Sequence, residues 1–276
     1  KEIIFKTGNI VIVEALILPS NYSVIFEPGV FIYLKDKGKI ISRSPLYFLG
    51  EKSNPIKING SSNSKGNGIL VVNSKKRSFL KNVIFNNLSS IDEEFWGLTG
   101  ALTFYESDVE INNCIFKNNI AEDAINIVRS NFTINNSIFV DSLSDAIDID
   151  FSNGKIGNLF VENSGNDGLD FSGSKVLGEN IIIKNSGDKA FSIGEASEVN
   201  ISNLNINYAN IALANKDGSN SIINDVIINN TKIDFAVFKK KNEYLNPNLK
   251  INGVNLQVDE MNQLIGEGSQ LFIDDK

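Results

Sequence analysis

Histidine is missing from all 276 residues, and cysteine, methionine and tryptophan occur once each. Without histidine the chain lacks the commonest general base and the commonest transition-metal ligand. The lone Cys114 rules out an intramolecular disulfide and any multi-cysteine zinc site. It is expected as a buried core thiol, because a nucleophilic cysteine would want a histidine partner. Basic charge is short as well: 26 Lys and Arg stand against 33 Asp and Glu, a formal net charge of −7. That balance excludes a nucleic-acid partner, which needs clustered cations. No apolar run approaches the ~18 residues of a membrane span. The chain opens at Lys1 without methionine. A processed leader and an extracytoplasmic location (secreted, periplasmic or cell surface) are therefore the expectation.

Proline is scarce, at five residues, while 42% of the chain is apolar, enough for a large core. Asparagine, isoleucine and serine are used heavily, a combination that suits Ile-rich strands joined by Asn-rich turns. The phrase "INNCIFKNNIAEDAINIVRS" at 111–130 is followed by "INNSIFVDSLSDAIDIDFS" at 134–152. Asn113, Asn136, Asn158, Asn180, Asn203 and Asp225 recur at steps of 23, 22, 22, 23 and 22. Ser107, Ser130, Ser152, Ser174, Ser197 and Ser219 keep the same steps, and a small-residue column, Ala101, Ala124, Ala146, Gly168, Ala190 and Ala212, runs at 23, 22, 22, 22 and 22. Three columns on one period mean stacked supersecondary units.

No repeat holds a helical stripe of ten residues. At ~3.3 Å per residue, one period makes a closed coil of three short strands and three turns. Stacked coils put like residues ~4.8 Å apart. The fold class is therefore all-β: a single-stranded parallel β-helix, a solenoid with coils of about 22 residues, right-handed as parallel crossovers are. Asparagine suits the recurring turn because it tolerates unusual backbone angles. Its amide also reaches the coils above and below, an asparagine ladder. The expected organisation is one β-helix over 1–244, with N-terminal coils at 1–78 and regular repeats at 79–240. Residues 245–276 are expected as a capping or flanking segment of the same domain. Asn82 and Asn113 lie 31 apart, so the stretch "LSSIDEEFWGLTG" at 88–100 must leave the coil as a loop carrying Trp96.

Through "DAINIVRSNFTINNSIF" (123–139), "DAIDIDFSNGKIGNLFV" (145–161) and "DGLDFSGSKVLGENIII" (167–183), the chain resembles the right-handed parallel β-helix repeat proteins of the pectate-lyase-like superfamily. "LPSNYSVIFEPGVFIYL" (18–34) and "NPIKINGS" (54–61) look like opening coils of the same kind. The resemblance implies the fold and a carbohydrate setting. It leaves activity open, because the superfamily spans lyases, hydrolases, epimerases, phage adhesins and non-catalytic modules. The pectin-hydrolase branch pairs its aspartates with Gly-His-Gly and Arg-Ile-Lys motifs, and both are absent here.

Strand parity sorts the side chains. Ile125 and Ile127, Ile147 and Ile149, and Leu169 and Phe171 should point inward. The alternate column Thr103, Asn126, Asp148, Asp170, Ser192, Ala214 should face out, beside Tyr105, Val128, Asp150, Ser172, Gly194, Lys216. Asp123, Asp145 and Asp167 stack at the preceding turn, with Arg129 and Lys189 as flanking cations. Asp148, Asp150 and Asp170 are a candidate calcium site, since hard oxygen donors suit that ion. Asp148, Asp170, Arg129, Lys189 and Tyr105 are candidate catalytic residues. Trp96, Tyr105, Asn126 and Asp150 are candidates for contacting a polysaccharide, the aromatics by stacking on sugar rings. An outward apolar stripe, Ile115, Ile138, Phe160 and Ile182, is a candidate surface for a protein partner or a second copy.

Two functions compete. One is a secreted or surface module that binds carbohydrate or a protein partner. The other is a polysaccharide-active enzyme, a lyase or C5-epimerase ahead of a glycoside hydrolase, working on the outer face. Carboxylates or a base converging in a cleft favour the enzyme; dispersed charge on a flat face favours the module.

Overall fold

The computed structural model describes residues 1–61, 66–93, 96–255 and 261–274, and among them there are strands and no α-helix. No helix is long and apolar enough to cross a membrane. The chain divides into two compact units, 1–144 and 145–276.

In unit 1 the strands fall into three parallel faces. Face one holds Glu2–Phe5, Ser23–Phe26, Leu46–Leu49, Ser78–Lys81, Val109–Asn112 and Asn131–Asn135. Face two holds Gly8–Ile12, Val30–Leu34, Ile56–Asn59, Val83–Asn86, Ile115–Lys117 and Ile138–Ser142. Face three holds Ala15–Leu18, Lys39–Ser42, Ile69–Val72, Gly100–Tyr105 and Asp123–Val128. Within this unit the interior is built of stacked like residues. Phe5, Phe26 and Phe48 lie ring on ring at 4.5 and 4.3 Å, and Phe85, Phe116 and Phe139 at 4.6 and 4.4 Å. Strand spacing alone sets these distances, so identical letters one coil apart become contact partners. Of the 88–100 segment, Leu88, Ser89 and Ile91 stay buried, with Leu88 and Ser89 bonded to neighbouring coils, while Asp92–Glu93 pairs with Trp96–Gly97 in a short antiparallel ribbon.

Unit 2 repeats the same coil with longer strands. Asp145–Asp150, Leu169–Ser172 and the ends of Lys175–Gly194, Glu198–Lys216 and Asn220–Phe238 form its third face. Gln263–Ile265 continues that face, while Asn248–Val254 pairs with the start of Asn220–Phe238 and in turn with Gln270–Asp274.

The recurring asparagines all occupy left-handed backbone: Asn82 (φ 50°), Asn113 (54°), Asn136 (51°), Asn158 (48°), Asn180 (55°) and Asn203 (56°), with Asp225 at 54°. Side chains with a short polar arm adopt this conformation at least cost. Asn180 donates to Asn158 Oδ1 (3.1 Å), and Asn203 donates to Asn180 Oδ1 (3.0 Å). A second left-handed column was not anticipated: Asn118, Asp141, Asn163, Asn185, Tyr208 and Asn230, five residues further along each coil. The serine column is buried and answers a backbone need. Ser74 N donates to Ser107 Oγ (2.9 Å), Ser107 N to Ser130 Oγ (2.8 Å), and Ser152 N to Ser174 Oγ (3.0 Å). Each hydroxyl satisfies an amide that a turn would otherwise orphan. The small column is small for lack of room. A Cβ on Gly168 would sit 2.6 Å from Ala190 O and 2.8 Å from Ile183 Cγ2.

Asn180→Ala is expected to destabilise the protein by about 1–2 kcal/mol in urea unfolding, through left-handed strain and the lost amide bond. Asn180→Gly should recover the backbone part. Equal losses in the two variants would show that the conformation at this position is not the cause.

Candidate acidic site

The inward parity holds: Ile125, Ile127, Ile147, Ile149, Leu169 and Phe171 are all fully buried. The alternate column is a correction to the sequence reading. Thr103, Asn126, Ser192 and Ala214 are buried, and Asp148 and Asp170 only half-buried. The cause is visible in the neighbours. Lys216 folds over the third face of unit 2 to donate to Ser192 Oγ (2.8 Å). In unit 1 Thr103 Oγ1 donates to Gly100 O (3.4 Å) of its own strand.

The carboxylates that converge are Asp145, Asp167 and Asp170, each offering an oxygen within 4.8 Å of the others. Asp170 belongs to the expected calcium trio; Asp148 and Asp150 lie half-buried on the adjacent coil. Asp145 and Asp167 stand in one column with Lys189, at steps of 22. Each aspartate pins the next coil. Asp145 Oδ1 accepts from Asp167 N (2.9 Å) and Asn166 Nδ2 (2.7 Å), and Asp167 Oδ1 accepts from Lys189 N (2.9 Å). Lys189 Nζ lies 3.3 Å from both Asp167 oxygens and also bonds Asp188. Ser192 bonds Asp170, whose Oδ1 is buried and has no hydrogen-bond partner among the described residues.

These contacts set the charge states. Burial pushes Asp167 up to about 6 against the pull of Lys189, with Asp170 and Asp145 adding to the rise. Burial raises Asp170 too, against Lys216 and the Ser192 bond. Burial works to lower Lys189, but its bonds to Asp188 and Asp167 outweigh this, so it is raised and stays an ammonium. The cluster therefore holds a carboxylic acid and fixed cations side by side. Asp167 is bonded to Lys189 and Asp145 Oδ1 accepts from two N–H donors, bonds that a cation bound among these three carboxylates would have to share.

The remaining candidates are placed elsewhere. In unit 1 Arg129 is exposed and donates to Tyr105 Oη (2.7 Å), with its guanidinium 5.9 Å from the ring centre. The Trp96 side chain lies outside the described residues. Cys114 is wholly buried, and burial pushes its thiol up to about 12, an inert core sulfur. In the apolar stripe Ile115 and Phe160 are half-buried, while Ile138 and Ile182 are exposed. Lys216 and Asp188 were missed. Lys216 stands in the Tyr105 column, a position legible in the sequence, but nothing there shows that its long side chain folds back.

No family model matches the chain, and no curated protein does. Among solved structures it is similar to the GH136 lacto-N-biosidase of Eubacterium ramulus. That match has 10% identity and TM-score 0.54, and covers 94% of this chain and 63% of that one. It is similar to the catalytic domain of a GH87 alpha-1,3-glucanase in complex with tetrasaccharides (11%, TM-score 0.50, 99% and 63%). It is also similar to PfbA, a surface adhesin of Streptococcus pneumoniae (14%, TM-score 0.51, 99% and 85%). The chain thus spans about three fifths of the two enzyme chains. The fold is the parallel β-helix.

An acid whose folded pKa lies above its unfolded value stabilises the fold while it is protonated. For Asp167 that contribution is complete below about 3.8 and is lost as pH rises through about 6. Unfolding free energy should therefore fall across this window, by on the order of 2–3 kcal/mol from this group. Asp167→Asn keeps an acceptor for Lys189 N and should flatten the slope. A slope unchanged in Asp167→Asn would mean that Asp167 does not titrate there.

Proposed function

We propose that this chain is a carbohydrate-binding β-helix exposed outside the cytoplasm, and that a glycan meets unit 2 at the half-buried Asp170, whose Oδ1 has no hydrogen-bond partner among the described residues, beside the buried Asp145 and Asp167. The observation that supports it is convergence: three carboxylates within 4.8 Å, bordered by Lys189, Ser192 and Lys216. Fixed donors and acceptors already held in place cost little ordering when a polyhydroxyl ligand arrives. The structural neighbours support the setting, since two are named for acting on glycans and one for surface adhesion.

A second reading, hydrolysis of a glycosidic bond, is favoured by one specific observation. Asp167 is held up to about 6 and Asp170 is raised, so the cluster can present a protonated carboxyl to a leaving oxygen while another carboxylate stays charged. The close spacing of the three groups suits a retaining rather than an inverting reaction. Lys189 is a poor base for a lyase or epimerase, because its carboxylate partners hold it protonated.

A panel of neutral and acidic polysaccharides, with and without calcium, tests both readings. Affinity electrophoresis reads binding, and new reducing ends and unsaturated uronates read cleavage. Binding to at least one glycan, weakened roughly tenfold in Asp170→Asn, is the expected outcome. New reducing ends of retained configuration would add catalysis. Binding without either product removes the enzyme, and no binding across the panel removes the carbohydrate reading.

A further inference from the structure

A recurring set of asparagine amides in this protein bond to one another from coil to coil. Asn118 donates to Asn86, Asn136 to Asn112, Asn185 to Asn163, Asn230 to Asn207 and Asn248 to Asn220. In the opening coils of unit 1 this habit stops. A hollow of ≈ 510 Å³ lies against face two there, lined among others by Asn9, Phe31, Asn54, Lys57 and Asn59. No hydrogen bond or ion pair among the described residues occupies the side chains of those three asparagines or of Lys57. The volume falls within the ~300–1,000 Å³ of small-molecule sites.

The walls are firmly held. Asn9, Phe31 and Lys57 are register partners on three successive strands, and Tyr33 pairs with Asn59 beside them. Outward side chains on such a row repeat every ~4.8 Å. The facing wall is the 51–55 turn. It is closed by Glu51 N to Asn54 O (3.2 Å) and Asn54 N to Glu51 O (3.1 Å), and docked by Gly29 N to Asn54 O (3.0 Å). Gly29 sits at φ 76°, left-handed backbone that favours glycine, and a Cβ there would meet the Asn54 side-chain amide at 2.4 Å and push it aside. Phe31 presents a half-buried ring, and the amides present donors and acceptors at its side. No carboxylate lines the hollow, although the chain carries a formal charge of −7. Glu51 and Lys52, both exposed, stand side by side at the start of the turn and outside the lining.

We propose that this hollow is a second glycan site, which takes a carboxylated sugar. An apolar ring face, unpaired amides and an ammonium without a carboxylate neighbour are what a uronate unit presents the complement of: C–H faces, hydroxyls and one negative charge. The proposal rests on the carbohydrate reading of the chain and adds a substrate class, acidic saccharides, that the acidic cluster of unit 2 would repel.

Isothermal titration with tetragalacturonate and tetramannuronate, and with maltotetraose as the neutral control, tests it. At least one uronate should bind, more weakly at high salt, with maltotetraose binding poorly. Lys57→Gln should weaken uronate binding roughly tenfold, and Phe31→Ala several-fold, while Asp170→Asn leaves it in place. Lys57 is exposed, so its variant reads the site even where Phe31→Ala lowers stability. Uronate binding lost in Asp170→Asn and kept in Lys57→Gln overturns the proposal and assigns binding to unit 2. A protein that binds a neutral glycan but neither uronate overturns this proposal alone. Failure to bind any saccharide removes the carbohydrate reading with it.

Discussion

Register between successive parallel coils is the constraint on which the rest depends. Every side chain has a counterpart ~4.8 Å above and below it, so a residue type tolerated once must be tolerated as a column. Phenylalanine repeats well, because ring faces stack at van der Waals distance. Asparagine repeats well at a left-handed turn, because its amide is donor and acceptor at once and each coil can pass a bond to the next. Serine repeats where a turn leaves a buried amide, since one hydroxyl closes the gap. These columns are less a code than a list of side chains that satisfy their own copies.

Aspartate is the residue that does not satisfy its own copy, and that is why the acidic column of unit 2 is informative. Asp145 can accept from Asp167 N and Asp167 from Lys189 N, so the backbone gains while the charges accumulate. Two responses relieve the accumulation. The column changes sign at Lys189, and burial lifts Asp167 and Asp170 toward the neutral form. A chain that only needed coil-to-coil bonds had asparagine available at no electrostatic cost, as its turns show. Retaining carboxylates here costs electrostatic energy that the turn asparagines avoid, and the bonds to Asp167 N and Lys189 and the salt bridge to Lys189 offset part of it.

The architecture was legible because columns are a one-dimensional signal: Asn113, Asn136 and Asn158 announce the coil whatever surrounds them. The small column was legible too, and its reason, the approach of Ile183 to Gly168, needed coordinates. Inward parity was right at Ile125, Ile127, Ile147, Ile149, Leu169 and Phe171. The outward half misled, because parity assigns a side and not an exposure. Asn126 points away from the core yet is buried, and no alternation rule contains the reach of Lys216 over Ser192. The trio Asp148, Asp150 and Asp170 was chosen by parity along strands. The group that closes, Asp145, Asp167 and Asp170, joins a turn column to a strand column, which spacing along a strand alone cannot show.

The same bookkeeping of amides marks where the molecule spends polar groups on itself and where it does not. An amide bonded to the coil above is committed to the fold, and a ligand must break that bond to use it. Asn9, Asn54 and Asn59 carry no such commitment among the described residues. They stand beside Phe31 and Lys57 on walls fixed by the strand register and by Gly29. Leaving unpaired polar groups on a rigid wall costs little while water serves them, and nothing must be reorganised when a ligand replaces that water. In a solenoid whose default is to satisfy each side chain with its own repeat, departure from the repeat is therefore the more informative feature. It separates the first coils of unit 1 from the ladders that only hold coils together.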